Sequence, residues 1–191
     1  METADERRAR LVGVARDLIA RDGVANCTFR RLATAAGTST RPFTHAFGTR
    51  DNLLREVALS TWDGSPLDVE ADGDVVATLA TIGEHWLPLD DERYLAERIY
   101  FEIVLFALTR PALREELMAY STTANSRIAA LIAVGQKAGQ VRADVPADEL
   151  TMAFWALQAG MAFTGLYETD ALPPAMARRV WRDAVARLLR P

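Results

Sequence analysis

Apolar residues return every three or four positions along almost the whole chain, and no strand pairs or repeats are evident. That periodicity confines the fold to helices packed on helices. From Asp5 to Arg21 the apolar set is Leu11, Val14, Ala15, Leu18 and Ile19, with charges on the opposite face, and Asp22 and Gly23 end the helix. Thr28 is placed to cap a short helix from Phe29 to Ala36 by accepting from a first-turn amide, and Gly37 suits the left-handed turn after it. Ser39 is placed to cap Thr40–Phe47, where Pro42 falls in the first turn and removes an amide that has no helical partner. Thr49 caps Arg50 to about Trp62, with Asp51 at the positive end of the helix dipole. After the breaker Asp63, Gly64, Ser65 and Pro66, helical blocks run at about Asp74–Trp86, Asp91–Thr109, Pro111–Ala138 (stopped by Gly139), Pro146–Glu168 and Pro174–Leu189. The chain is therefore predicted to be all-α with about nine helices. A three-helix head spans residues 1–48, a connecting helix 49–62, and a helical bundle body 63–191.

Composition narrows the function. The chain has 191 residues, half of them hydrophobic and a quarter charged, which suits a soluble globular protein. Its lone cysteine, Cys27, forms no internal disulfide and reads as a small buried residue. With two histidines it cannot assemble a closed zinc site, so no metal or cofactor is expected and a reduced, cytoplasmic setting fits. The N-terminus lacks the apolar core of a secretory signal, and the longest apolar stretch, Ile103 to Leu108, is far too short to span a membrane. Charge is divided unevenly: residues 1–62 carry ten arginines against seven acids, while the remainder carries twelve bases against nineteen acids. A basic head on an acidic body suggests a polyanionic partner.

Two short helices joined by a glycine-containing turn under a longer first helix have the layout of a helix-turn-helix DNA reader. Projected at about 100° per residue, Thr40, Arg41, Thr44 and His45 fall in one arc of roughly 140°. Pro42, Phe43, Ala46 and Phe47 fall opposite, so the helix can anchor through two phenylalanines and present side chains able to reach bases or phosphates. The fork of Arg41 matches guanine O6 and N7.

Gly23, Thr28, Leu32, Ala33, Ala36, Gly37, Ser39, Phe47, Arg50, Asp51 and Leu53 together resemble the DNA-binding signature of the TetR family of bacterial regulators. The likeness covers the first quarter to third of the chain. It implies phosphate contacts from Thr28 and Arg50, and a major-groove face made by Thr40, Arg41, Thr44 and His45 beside Ser39. The sequence departs from the family where Thr44 replaces a common tyrosine, Arg41 a small residue, and Ala46 an aromatic or histidine. A threonine reaches less far, so compensation from Arg41 and His45 is expected.

In the body, apolar residues surround the whole helix from Ile99 to Leu108, with Glu102 its only charge. That carboxylate either pairs with Arg98 one turn earlier or lines a cavity. The resemblance implies an effector held among the body helices, for which Trp62, Trp86, Glu102, Phe106, Trp155 and Gln158 are the candidate contacts. Leu150, Phe154, Leu157 and Met161 form one stripe of the penultimate helix, while Trp155, Gly160, Ala162 and Phe163 lie elsewhere. The last helix repeats the pattern with Met176, Val180, Trp181, Ala184, Val185, Leu188 and Leu189, so both helices have two faces to cover, as relatives do in a homodimer. The chain shows no paired histidine ligands, nucleophile motif or glycine-rich phosphate loop, and no enzymatic activity is expected. The expected function is a ligand-responsive regulator, a dimeric repressor of a palindromic operator, with the connecting helix 49–62 as the lever between head and body and Trp62 at its body end. The alternative is a small-molecule binder or scaffold whose helix-turn-helix no longer reads DNA.

Overall fold

The computed structural model describes residues 2–61, 67 and 73–191. Trp62, expected as a ligand contact and as the end of the lever, and the breaker at Asp63–Pro66 lie outside the described residues. Among the described residues the chain is all helix, without strands: α1 (Ala4–Asp22), a 3-10 turn (Val24–Asn26), α2 (Phe29–Ala35), α3 (Arg41–Phe47), α4 (Arg50–Ser60), α5 (Val75–Glu84), α6 (Asp91–Ala107), α7 (Pro111–Lys137), α8 (Ala147–Tyr167) and α9 (Pro174–Leu189). None of these helices is long and apolar enough to cross a membrane. The chain divides into two compact units, one made of residues 1–63 with 98–118 and the other of 64–97 with 119–191.

The first unit contains the head. Thr3 and Glu6 close a capping box at the start of α1, each side chain reaching the other residue's amide at 2.8 to 3.1 Å. Leu11, Ala15, Leu18 and Ile19 of α1, Leu32 of α2, Phe43 and Phe47 of α3, and Leu53, Leu54 and Val57 of α4 are buried, so one apolar stripe per helix closes a single core. Thr28 caps α2 by accepting from the Arg31 amide at 3.4 Å, and Thr49 caps α4 by accepting from Asn52 at 3.1 Å. Gly37 takes φ 61°, a conformation that costs a Cβ-bearing residue, and so turns the chain tightly between α2 and α3. Ser39 does not cap α3. The N-cap is Thr40, already at φ −71° and ψ −17°, and no side chain caps it.

In the second unit α5, α8 and α9 are locked by large side chains. The Trp181 indole of α9 is fully buried and donates to the Ala80 carbonyl of α5 at 2.7 Å, with Phe154 of α8 edge-on at 5.3 Å. Gly83 lets the α5 backbone meet that indole, since a Cβ here would run into the Trp181 and Phe154 rings. Glu84, also buried, is neutralised by Arg178 at 2.5 Å and Arg182 at 2.8 Å, both from α9. Helix α5 stops at Glu84, short of the expected Trp86, because Leu87 precedes Pro88 and is pushed out of helical geometry.

Candidate nucleic-acid interface and ligand site

Helix α3 presents the two faces its projection requires. Phe43 and Phe47 are buried, with Phe43 stacked on Phe29 of α2 at 6.2 Å, while Thr40, Arg41, Thr44 and His45 are exposed together with Ser39. The Thr44 hydroxyl donates to the Thr40 carbonyl at 3.2 Å, turning the short side chain back onto its own helix and leaving Arg41 and His45 as the longest reach on this face.

Sequence reasoning missed what lies beside α3. A cleft of about 660 Å³ is lined by Arg7, Arg8 and Arg10 of α1 together with Ser39, Arg41 and His45. Arg8 is structural, donating to the Ala46 carbonyl at 2.6 Å, pairing with Glu56 at 3.1 Å and covering the Phe47 ring at 4.8 Å. Arg7 and Arg10 are exposed and, among the described residues, each is paired only to Glu2, at 3.4 and 2.8 Å. Exposed pairs of this kind are weak, so both cations are available to a phosphate backbone. The clustering of Arg7, Arg8 and Arg10 within one turn was the signal in the sequence.

Arg50, Glu102 and Phe106 belong to one cluster inside the first unit. Arg50 donates to the Val24 and Ala25 carbonyls at 2.6 and 3.2 Å and lies over the Phe106 ring at 4.8 Å, with Arg110 on the same ring at 4.1 Å. Glu102 accepts the Val24 amide at 2.9 Å and pairs with Arg98 at 3.4 Å, and Arg98 donates to the Ala20 carbonyl at the end of α1. The C-terminal half of α6 thus grips the turn between α1 and α2. Of the two alternatives for Glu102, the pairing with Arg98 is the one seen, and within the first unit both Glu102 and Phe106 are engaged with the head. Arg50, expected to face phosphate, spends its guanidinium on the same turn. Cys27 beside it is buried, and burial pushes its thiol up to about 11, the behaviour of an inert core residue.

The second unit does bring together three of the expected ligand residues. Trp86 and Trp155 lie 5.3 Å apart, tilted at 53°, and Gln158 donates to the Trp86 carbonyl at 2.9 Å. The residue that sequence reasoning missed is Glu97 of α6. It is 5 % exposed, and no hydrogen bond or ion pair joins it to any described residue. Burial alone pushes its carboxyl up to about 8. Its position was visible as a lone acid on a helical stripe with Tyr94 and Phe101, three residues before and four after.

A reading helix anchored by phenylalanines in a three-helix head, on an all-helical chain without strands among the described residues, defines a helix-turn-helix transcriptional regulator. Residues 11–57 match the model of bacterial regulatory proteins of the tetR family, and residues 76–190 match that of the C-terminal domain of BetI-type transcriptional repressors. The chain belongs to the TetR family. Among solved structures, a transcriptional regulator from Saccharomonospora viridis in complex with choline is 23 % identical with a TM-score of 0.82, the match covering 97 % of this chain and 98 % of that one. A TetR-family regulator from Rhodococcus sp. is 20 % identical with a TM-score of 0.80, covering 97 % and 99 %. The multidrug-binding protein EbrR complexed with ethidium is 22 % identical with a TM-score of 0.68, covering 97 % and 100 %. No curated protein matches the sequence.

Proposed function

We propose that this regulator is a homodimeric repressor that holds a palindromic operator through α3 and releases it when a small apolar or amphipathic molecule enters the C-terminal domain. The observation that carries the reading is the α3 surface, with Thr40, Arg41 and His45 exposed over a phenylalanine anchor and beside the arginines of α1. Arg41 reads a guanine edge from a major-groove face shared with Thr40 and His45, Thr28 meets phosphate, and Arg7 and Arg10 add backbone charge. Dimerisation is supported by apolar side chains left exposed on the last two helices: Met152, Phe163 and Tyr167 on α8, and Met176 and Val180 on α9. A two-fold pair would set the reading helices about 34 to 36 Å apart or at a multiple of it.

Coupling is assigned to α6. One continuous helix carries Glu97 in the second unit and the grip of Arg98, Glu102 and Phe106 on the head turn in the first. A ligand that favours one setting of this helix changes operator affinity by its differential affinity for the two settings. The choline and ethidium held by the related structures support a small organic effector, for which Trp86, Trp155 and Gln158 are the wall in this chain.

The test is selection of DNA sequences by the purified protein, repeated with Arg41→Ala and followed by salt titration. A palindromic consensus that loses one base preference per half-site in the variant, with steep salt dependence, supports the reading. Absence of enrichment at low salt would refute it and leave a helical small-molecule binder.

A further inference from the structure

A buried carboxylate is ordinarily met by an arginine, a lysine or several amides, because an unpaired charge away from water is expensive. This chain follows that rule at Glu84, which takes two arginines, and breaks it at Glu97, which takes none although it is the more buried of the two. The charges on the surrounding elements are committed elsewhere. On α6, Arg93 pairs with Asp90 at 3.2 Å and Arg98 with Glu102 at 3.4 Å; on α9, Arg178 and Arg182 hold Glu84 of α5. His85, just past α5, is held below its usual range by burial and by Arg93. Helix α8 carries no charged residue from Leu150 to Tyr167, and on α7 the nearest cations in sequence within this unit are Arg127 and Lys137. None of these groups shifts Glu97, on which burial acts alone.

The face of α6 that bears Glu97 is turned toward α8. Tyr94, one helical turn before Glu97, donates its hydroxyl to the Leu166 carbonyl of α8 at 3.4 Å. The same helix supplies Trp155 and Gln158 to the Trp86 segment. The second unit therefore combines an unanswered acid with tryptophan and tyrosine rings, whose faces attract cations.

We propose that Glu97 is the anchor for a lipophilic organic cation, such as a quaternary ammonium or a fused-ring aminium, and that capture of the cation expels the Glu97 proton. This deepens the effector reading above and rests on it. The step balances simply: the carboxylic acid and the free cation become a carboxylate–cation pair, and one proton passes to solvent. A small hydrated ion is a poor occupant, because it would have to leave much of its water for a buried site; a large cation with an apolar shell has little hydration to lose. Choline and ethidium, bound by the related structures, are both cations of this class.

The test uses the full chain without DNA, so it stands apart from the operator selection. Choline binding is followed by calorimetry in buffers of different ionisation enthalpy, ethidium binding by fluorescence, with 3,3-dimethylbutan-1-ol as the uncharged counterpart of choline. The expected result is release of close to one proton per cation near neutrality, apparent affinity that rises about tenfold per pH unit up to about pH 8 and then levels, and preference for choline over its uncharged counterpart. Glu97→Gln weakens cation binding by about 30-fold or more above that pH and removes the proton release. Proton release is measured on the unaltered chain, so the outcome does not depend on the variant folding. Failure to bind either cation, binding without proton release, or equal affinity in Glu97→Gln would overturn the anchor. A chain that selects an operator but binds no cation overturns the anchor alone, whereas one that binds cations but selects no DNA overturns the repressor reading and leaves the anchor standing.

Discussion

Replacing Glu97 by Gln should make the protein more stable, and by an amount that grows with pH. The folded chain holds this carboxyl protonated up to about 8, whereas the unfolded chain gives up the proton above the ordinary value of 4.5. Between those two values the native state binds the extra proton, so stability falls as pH rises by about 1.4 kcal/mol per unit. Glutamine does not titrate and has nearly the same shape. The difference between variant and parent should therefore widen by about 3 kcal/mol from about pH 5.5 to about 7.5 and stop widening above about pH 8. Urea unfolding followed by tryptophan emission, at fixed protein concentration and several pH values, measures it. Other shifted groups, such as Asp22 and Asp74, whose arginine partners hold them below the usual carboxylate range, are common to both chains and cancel in the difference. A difference independent of pH would mean that the folded carboxyl is ionised like a solvated one. The argument that burial alone controls it would then be refuted.

Three further outcomes follow from the geometry. Glu102→Gln removes the charge that accepts the Val24 amide and pairs with Arg98, and should cost about 1 to 2 kcal/mol in urea unfolding together with a measurable loss of operator affinity; unchanged values for both would sever α6 from the head turn. Gly83→Ala places a methyl against the Trp181 and Phe154 rings and should lower stability by about 1 to 3 kcal/mol, read as a drop in melting temperature; an unchanged melting temperature would mean that α5 and α9 can separate freely. Phe163→Glu, in the exposed apolar face of α8, should abolish the proposed dimer in sedimentation equilibrium, and a variant that still dimerises would remove α8 from the interface.

The head was legible from the chain because its signals are local. Thr28 and Thr49 cap the helices they precede, Gly37 takes the left-handed turn, and the two phenylalanines of α3 go inward. Ser39 failed by one position because Thr40 adopts helical angles without any side-chain cap, so the capping pattern had nothing to report there. The long-range partners were not legible. The separation of 78 positions between Val24 and Glu102 leaves no trace of their hydrogen bond in the sequence, and the same separation hides the bond from Arg98 to Ala20. At Glu97 the chain shows the acid on its helical stripe but not its burial. An acid on a helix is usually solvated, and only the packed structure shows that this one is buried without an ion-pair partner among the described residues.

The clamp drawn from Arg98 to Arg110 has a consequence for how the protein comes off the ribosome. The reading helix is complete at Phe47, but the residues that hold the turn before α2 are translated about sixty positions later. At about 5 to 20 residues per second, the nascent head waits several seconds with the Val24 amide and the Ala20 carbonyl unanswered. DNA-binding competence is thereby postponed until α6 has been made, so a chain aborted between α4 and α6 would carry every side chain of the reading surface and still lack the brace that sets it.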